Sequence, residues 1–228
     1  MDEETVFPIG HLQELGKHGS QIIEGEIEEL DYVPNGKDFY THFVRKRTPL
    51  IMRGEAKSWP AVKYWANESY LLENYAEVIF DVEFTKKYEQ KPPVKRTMNL
   101  KEYLNIYRKE SVYLDSPFPQ SNLTRDILVP YCLQCEEISK TIASTHLLFS
   151  SGGTSSSCHQ DGYENLLTLI AGTKVVLVAN SSYTKYFYPN NYTTVPGLSP
   201  IDPDAVDLVK YPDLLKIPFH KVGVCYSL

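Results

Sequence analysis

The sequence predicts a mainly β protein, a β-sandwich or jelly roll with helices added on its N-terminal side. Three observations carry that reading. Short β-branched and aromatic runs recur between turn residues. Fifteen prolines and 12 glycines in 228 residues suit strands and turns better than a helix bundle. The helical signals gather early, and a strand-dominated half begins at His146.

Taken in order, residues 1–30 read as a polar, acidic arm. Asp38 is placed to cap a short helix that runs to Val44, with Phe39, Phe43 and Val44 as its apolar positions. Pro49 to Gly54 reads as a buried strand closed by a turn. Trp59-Pro60-Ala61-Val62 and Trp65 suggest a helical turn, and Asn67 to Ala76 a helix. Val78, Phe80, Val82 and Phe84 alternate, as on one face of a strand. Asn99 and Glu102 form a capping box that opens a helix to about Arg108. Val112-Tyr113-Leu114 is a short strand signal, residues 117–130 are loop-rich, and His146 to Ser150 is a strand. Tyr163–Ile170 and Lys174–Ala179 are two apolar runs joined by Ala171-Gly172-Thr173, an antiparallel hairpin signal. The expected organisation is an arm (1–30), a mixed α/β part (31–145) and a jelly-roll core (146–228).

Charge and composition narrow the function. A net charge of −6 provides no broad basic field, which argues against nucleic acid or an acidic membrane as partner. Local basic runs exist at Arg45-Lys46-Arg47 and Lys95-Arg96. No run of 18 apolar residues spans a membrane, and Met1-Asp2-Glu3-Glu4 is no leader peptide. Four cysteines are too few for a disulfide scaffold, and Cys132-x-x-Cys135 reads as ordinary thiols. The expected compartment is cytoplasm or nucleus. Four glycosylation sequons (Asn67, Asn122, Asn180, Asn191) exceed the roughly one or two that chance supplies, and keep the secretory pathway open if a leader lies upstream. Neither a glycine-rich phosphate loop, nor a G-x-S-x-G elbow, nor zinc-type Cys/His spacing occurs.

His159 and Asp161 carry the chemistry. Side chains two apart on an extended chain project to one side, so these two can converge while Gln160 points away. An imidazole and a carboxylate are two of the three donors of the 2-His-1-carboxylate triad that holds non-haem Fe(II). Lys174 follows fifteen positions after His159 and shares a strand face with Val176 and Val178. If that face points inward, its ammonium needs an anionic partner, which a dicarboxylate supplies.

With these residues in view, the sequence resembles the JmjC-domain oxygenases of the cupin-like hydroxylase subgroup. The resemblance runs through Pro49 to Gly54 with Trp59-Pro60-Ala61, Val112-Tyr113-Leu114, and Asp126 to Cys132. It continues through Gly153-Thr154 into His159-Gln160-Asp161, Tyr163-Glu164-Asn165-Leu166 and Ala171-Gly172-Thr173-Lys174. It implies a double-stranded β-helix that binds Fe(II) through His159 and Asp161. It further implies that Lys174, Tyr113 and Ser156 bind the distal carboxylate of 2-oxoglutarate, and that Asn165 lines the cosubstrate pocket near the metal. The implied activity is hydroxylation of a protein side chain, with a protein or peptide as substrate and a homodimer as an allowed assembly. Histone lysine demethylation is a weaker alternative, since no chromatin-reading module is recognisable.

One departure stands out. Relatives place a distal histidine ligand about 80 residues after the first. Here 69 residues follow His159, and His220 is the sole downstream histidine, in a Pro-Phe-His context that is not a ligand position in relatives. The expectation is a jelly roll lacking its closing strands, with impaired or no turnover. The competing expectation is a non-catalytic JmjC-fold protein that binds a partner or a small acid.

Overall fold

Asparagine, proline and glycine mark most element boundaries in the N-terminal half. In the computed structural model, residues 15, 22–24, 27–84, 94–119, 121–187 and 198–226 are described. Most of the acidic arm, Tyr188 and the Asn191 sequon lie outside them.

The first strands, β1 (Ile22–Glu24) and β2 (Glu28–Leu30), are three residues each. Helix α1 (Gly36–Phe39) follows and continues as a wider π-helical turn, Tyr40–Val44. Its cap is Asn35, not Asp38: the Asn35 side chain accepts from the Asp38 backbone N–H at 3.0 Å. Asp38 instead sits in the first turn, where its charge suits the helix dipole and its carboxylate accepts from Asn35 Nδ2 at 2.8 Å. Strand β3 (Leu50–Met52) pairs in parallel with β2, and Arg53 clamps Glu29 through two bonds of 2.6 and 3.0 Å. Gly54 turns the chain at φ 87°, a conformation that strains any residue with a Cβ.

Pro60 starts helix α2 (Pro60–Tyr64), where its missing N–H costs nothing. Asn67 caps α3 (Glu68–Tyr75) by accepting from Ser69 N–H at 2.9 Å. Strands β4 (Ile79–Phe84) and β5 (Val94–Asn99) lead to α4 (Leu100–Ile106), which opens with the predicted Asn99/Glu102 capping box. Strand β6 (Val112–Pro117), the short helix α5 (Glu136–Ser139) and β7 (His146–Ser150) follow. The four strands form an antiparallel sheet in the order β5-β4-β6-β7. One face carries Phe80, Val82, Val112 and Leu114, buried against Leu71 and Tyr75 of α3 and Leu100, Tyr103 and Leu104 of α4. The alternation read from Val78 to Phe84 holds: Val78 and Phe84 pack at the edge of this cluster. Register places Asp81, Glu83, Lys95, Thr97, Tyr113 and Ser150 on the opposite face.

A second sheet, in the order β1-β9-β8, is built from β8 (Gly172–Val178) and β9 (Phe219–Tyr226) with β1. Beneath it Ile201, Val206, Leu208, Tyr211, Leu214, Ile217 and Phe219 form a separate core. Tyr183, with Tyr186 and Phe187 on helix α6 (Thr184–Phe187), packs on that core.

The expected hairpin is corrected. Residues 163–170 form no strand, and β8 pairs antiparallel with β9 over Gly172–Val178. Their apolar pattern is real, but a strand exists only with a hydrogen-bonded neighbour. Tyr163 and Leu167 are accordingly exposed. The architecture as a whole is mainly β with N-terminal helices, in keeping with a jelly roll. Among the described residues no helix is long and apolar enough to cross a membrane.

Candidate metal centre

The site begins where β7 ends. Gly152 and Gly153 follow with φ of 89° and 64°, and a Cβ at either would be strained by the backbone alone. Ser150 Oγ secures this turn by accepting from Gly152 N–H at 2.9 Å, and it bonds Thr154 Oγ1 at 2.6 Å. The chain then runs past the second core. The Cys158 carbonyl accepts from Ser199 N–H at 2.7 Å, and His159 forms an antiparallel bridge to Leu198.

Side chains alternate along this stretch as the sequence predicts. Cys158 packs against the second core, where burial pushes its thiol up to about 11 and keeps it protonated. Gln160 Oε1 accepts from Thr184 Oγ1 at 3.0 Å, which ties the segment to α6. His159 and Asp161 take the other side together and are half open to solvent, 41% and 48% exposed. Their closest approach, His159 Nε2 to Asp161 Oδ2, is 3.8 Å.

The tautomer of His159 follows from one contact. Its Nδ1 lies 2.7 Å from the Ser157 carbonyl, which can only accept, so Nδ1 carries the hydrogen. In the neutral ring Nε2 then keeps its lone pair, on the side that Asp161 faces. Asn165 Nδ2 donates to Asp161 Oδ2 at 2.5 Å. Two ligands at right angles about 2.1 Å from an ion stand about 3 Å apart. A gap of 3.8 Å therefore closes by a small side-chain rotation, and the donor set suits a divalent transition metal in kind. Among the described residues no group of three His, Cys, Asp or Glu side chains is placed to hold a metal. His220 sits on β9 in register with Val178.

The remaining predicted residues occupy different settings. Lys174 lies on the more buried face of β8: it, Val176 and Val178 are half-buried, while Thr173, Val175 and Leu177 are exposed. Tyr113 is buried on β6, 6% exposed, with Glu83 of β4 and Ser150 of β7 as register partners. Burial, then the Asp115 and Glu83 carboxylates, push its phenol up to about 12, so it remains a donor at neutral pH. Ser156 is exposed on the loop between Gly153 and His159. Only His159, Asp161 and Asn165 are joined by the contacts given above.

Sequence reasoning missed Glu83. It is 5% exposed and ion-paired with Lys95 Nζ at 3.0 Å. Alternation along β4 puts it opposite the core face, where Glu83 and Tyr113 are buried while Lys95 and Thr97 are exposed. A hollow of about 680 Å³ lined by Asn74, Tyr75, Val78, Ser121, Asn122 and Thr124 includes none of the predicted site residues.

Tyr113 gives a pH test. An unfolded phenol ionises near its ordinary value of 10, and the folded one near 12. The stability tied to the neutral phenol is whole below pH 10 and is lost as pH rises towards 12. Two units correspond to about 2–3 kcal/mol. Urea midpoints measured from pH 9 to 12 should fall less steeply for Tyr113→Phe than for the unsubstituted chain.

Comparison with known proteins decides the family: the sequence model of the cupin-like domain matches residues 36–225. The chain belongs to that family. It is 27% identical over 189 residues to the protein named lysine-specific demethylase 8 of Xenopus tropicalis, covering 79% of this chain and 42% of that one. It is 23% identical over 211 residues to Jumonji C domain-containing protein 5 of Drosophila melanogaster, covering 86% and 52%. It is 23% identical over 226 residues to the human protein named bifunctional peptidase and (3S)-lysyl hydroxylase JMJD7, covering 82% and 71%. The chain spans 42% and 52% of the length of the first two of these relatives. The cupin-like chain thus has both hydroxylases and demethylases among its relatives by name.

Proposed function

We propose that this cupin-like chain is an Fe(II)- and 2-oxoglutarate-dependent oxygenase that hydroxylates a protein side chain. The observation that carries it is the His159–Asp161 pair, on one side of the chain, with His159 Nε2 left available by the Nδ1 bond to Ser157. His159 and Asp161 would hold Fe(II), which would let O₂ oxidise 2-oxoglutarate to succinate and CO₂ and place its second oxygen atom on a C–H bond. Lys174 would anchor the distal carboxylate with a fixed cation on the buried side of β8. The protonated Tyr113 phenol and the Ser156 hydroxyl would donate to the same group. On the Tyr113 face Glu83 is paired with Lys95, and Asp115 lies 3.1 Å from His146. Among the three relatives reported, the one whose length is most fully matched is named a lysyl hydroxylase, which favours hydroxylation over demethylation.

The test is succinate release from 2-oxoglutarate with added Fe(II) and a lysine- or arginine-containing peptide, followed by mass analysis for a 16 Da gain. Lys174→Met should raise the 2-oxoglutarate concentration for half-maximal rate about 10- to 100-fold, the worth of one charge-assisted bond. A non-catalytic binding role is the second reading, favoured by the two-donor site. It predicts 2-oxoglutarate binding without succinate.

A further inference from the structure

Asn165 makes a contact that a cosubstrate role does not require. Its Nδ2 donates to Asp161 Oδ2 at 2.5 Å, and that oxygen is the one 3.8 Å from His159 Nε2. Asp161 is 48% exposed, so packing does not fix its carboxylate. The terminal torsion of an aspartate is broad and two-fold, and a single hydrogen bond can therefore decide which way it faces. Residue 165 lies four positions on, in a stretch with no ladder of its own, and its side chain bridges back across that stretch.

We propose that Asn165 is a positioning residue for the metal centre, whose amide holds the Asp161 carboxylate towards His159 before metal or cosubstrate arrives. The proposal rests on reading His159 and Asp161 as ligands. It completes a symmetry in their surroundings. The Ser157 carbonyl orients the imidazole by accepting from Nδ1, and the Asn165 amide orients the carboxylate by donating to Oδ2. An amide has two N–H donors and one acceptor oxygen. One N–H on Asp161 leaves the second free to meet an acid bound at the metal, so positioning and cosubstrate contact are compatible.

Metal binding without 2-oxoglutarate separates the two roles. The chain is titrated with Co(II) under anaerobic, cosubstrate-free conditions, and the visible absorption of the bound ion is read. Asn165→Ala should weaken Co(II) binding about 10-fold, within the usual range for a partner one shell out from a metal. Asn165→Gln, which keeps the amide, should recover part of that loss. Thermal midpoints in EDTA should match for all three chains, since Asn165 is exposed. If Asn165→Ala binds Co(II) as tightly as the unsubstituted chain while His159→Ala loses it, the positioning role is wrong and the ligand reading stands. If His159→Ala binds unchanged, or the unsubstituted chain binds no Co(II), the ligand reading fails and the role of Asn165 with it.

Discussion

Replacing Asp161 with alanine should weaken Fe(II) or Mn(II) binding by more than about 100-fold and abolish succinate release, while leaving the fold intact. The size follows from its place. Losing a partner one shell out commonly costs 10- to 100-fold in metal affinity, and losing a donor atom costs more. With only His159 beside it among the described metal-binding side chains, no neighbouring carboxylate stands ready to substitute. The fold should survive because Asp161 is 48% exposed, and its contacts given above are to His159 and Asn165, both exposed themselves. Asp161→Asn is the sharper variant. It keeps the shape but removes the charge, and its amide would have to meet the Asn165 N–H with its oxygen, turning its NH₂ elsewhere. Metal affinity should fall nearly as far as for alanine, with an unchanged thermal midpoint in EDTA. Affinity within a factor of three of the unsubstituted chain would remove Asp161 from the metal centre.

The site was legible in the sequence to the extent that it depends on alternation. His159 and Asp161 on one side, Gln160 on the other, and Lys174 with Val176 and Val178 all follow from a period of two along extended chain. The capping box at Asn99 was equally readable, because a cap is chosen within three or four residues. What failed needed information from further away. Asn35 and Asp38 are both good caps, and which one wins depends on where the helix starts, since each offers a side-chain acceptor. The run 163–170 has the composition of a strand, yet pairing is decided by the partner, and β8 took β9 from more than 40 residues downstream. Glu83 is buried beside Tyr113 although Lys95 and Thr97 on the same face are exposed, and a single strand cannot reveal that.

Asp126→Leu should produce the largest loss of stability of any single change on the helical side, about 3–5 kcal/mol, seen as a lowered urea midpoint with an unchanged slope. Asp126 ends the 3₁₀ turn Asn122–Asp126 and is 5% exposed. Its carboxylate accepts from Trp65 Nε1 at 2.8 Å, Tyr70 Oη at 3.0 Å and Tyr75 Oη at 2.7 Å. Three neutral donors thus spread one buried charge, and each comes from a different turn of the α2–α3 region. Burial, joined by the bonds to Tyr70 and Asp126, pushes the Tyr75 phenol well above its usual range, so it stays a donor. Leucine keeps the branched shape of the aspartate, is bulkier, and offers no acceptor. Tyr75, 2% exposed, then loses its shortest bond, whereas Trp65 and Tyr70 are half-buried and can turn to water. Most of the cost should therefore pass through Tyr75. A double-mutant cycle with Tyr75→Phe tests this directly: the two losses should fall short of additive by about 1–2 kcal/mol. Additive losses would mean that Asp126 acts through Trp65 and Tyr70 instead. Asp126→Asn should cost well under half as much as leucine, because Trp65 and Tyr75 both donate to Oδ2, where one carbonyl oxygen can still accept from both, while the new NH₂ can donate to Tyr70 Oη.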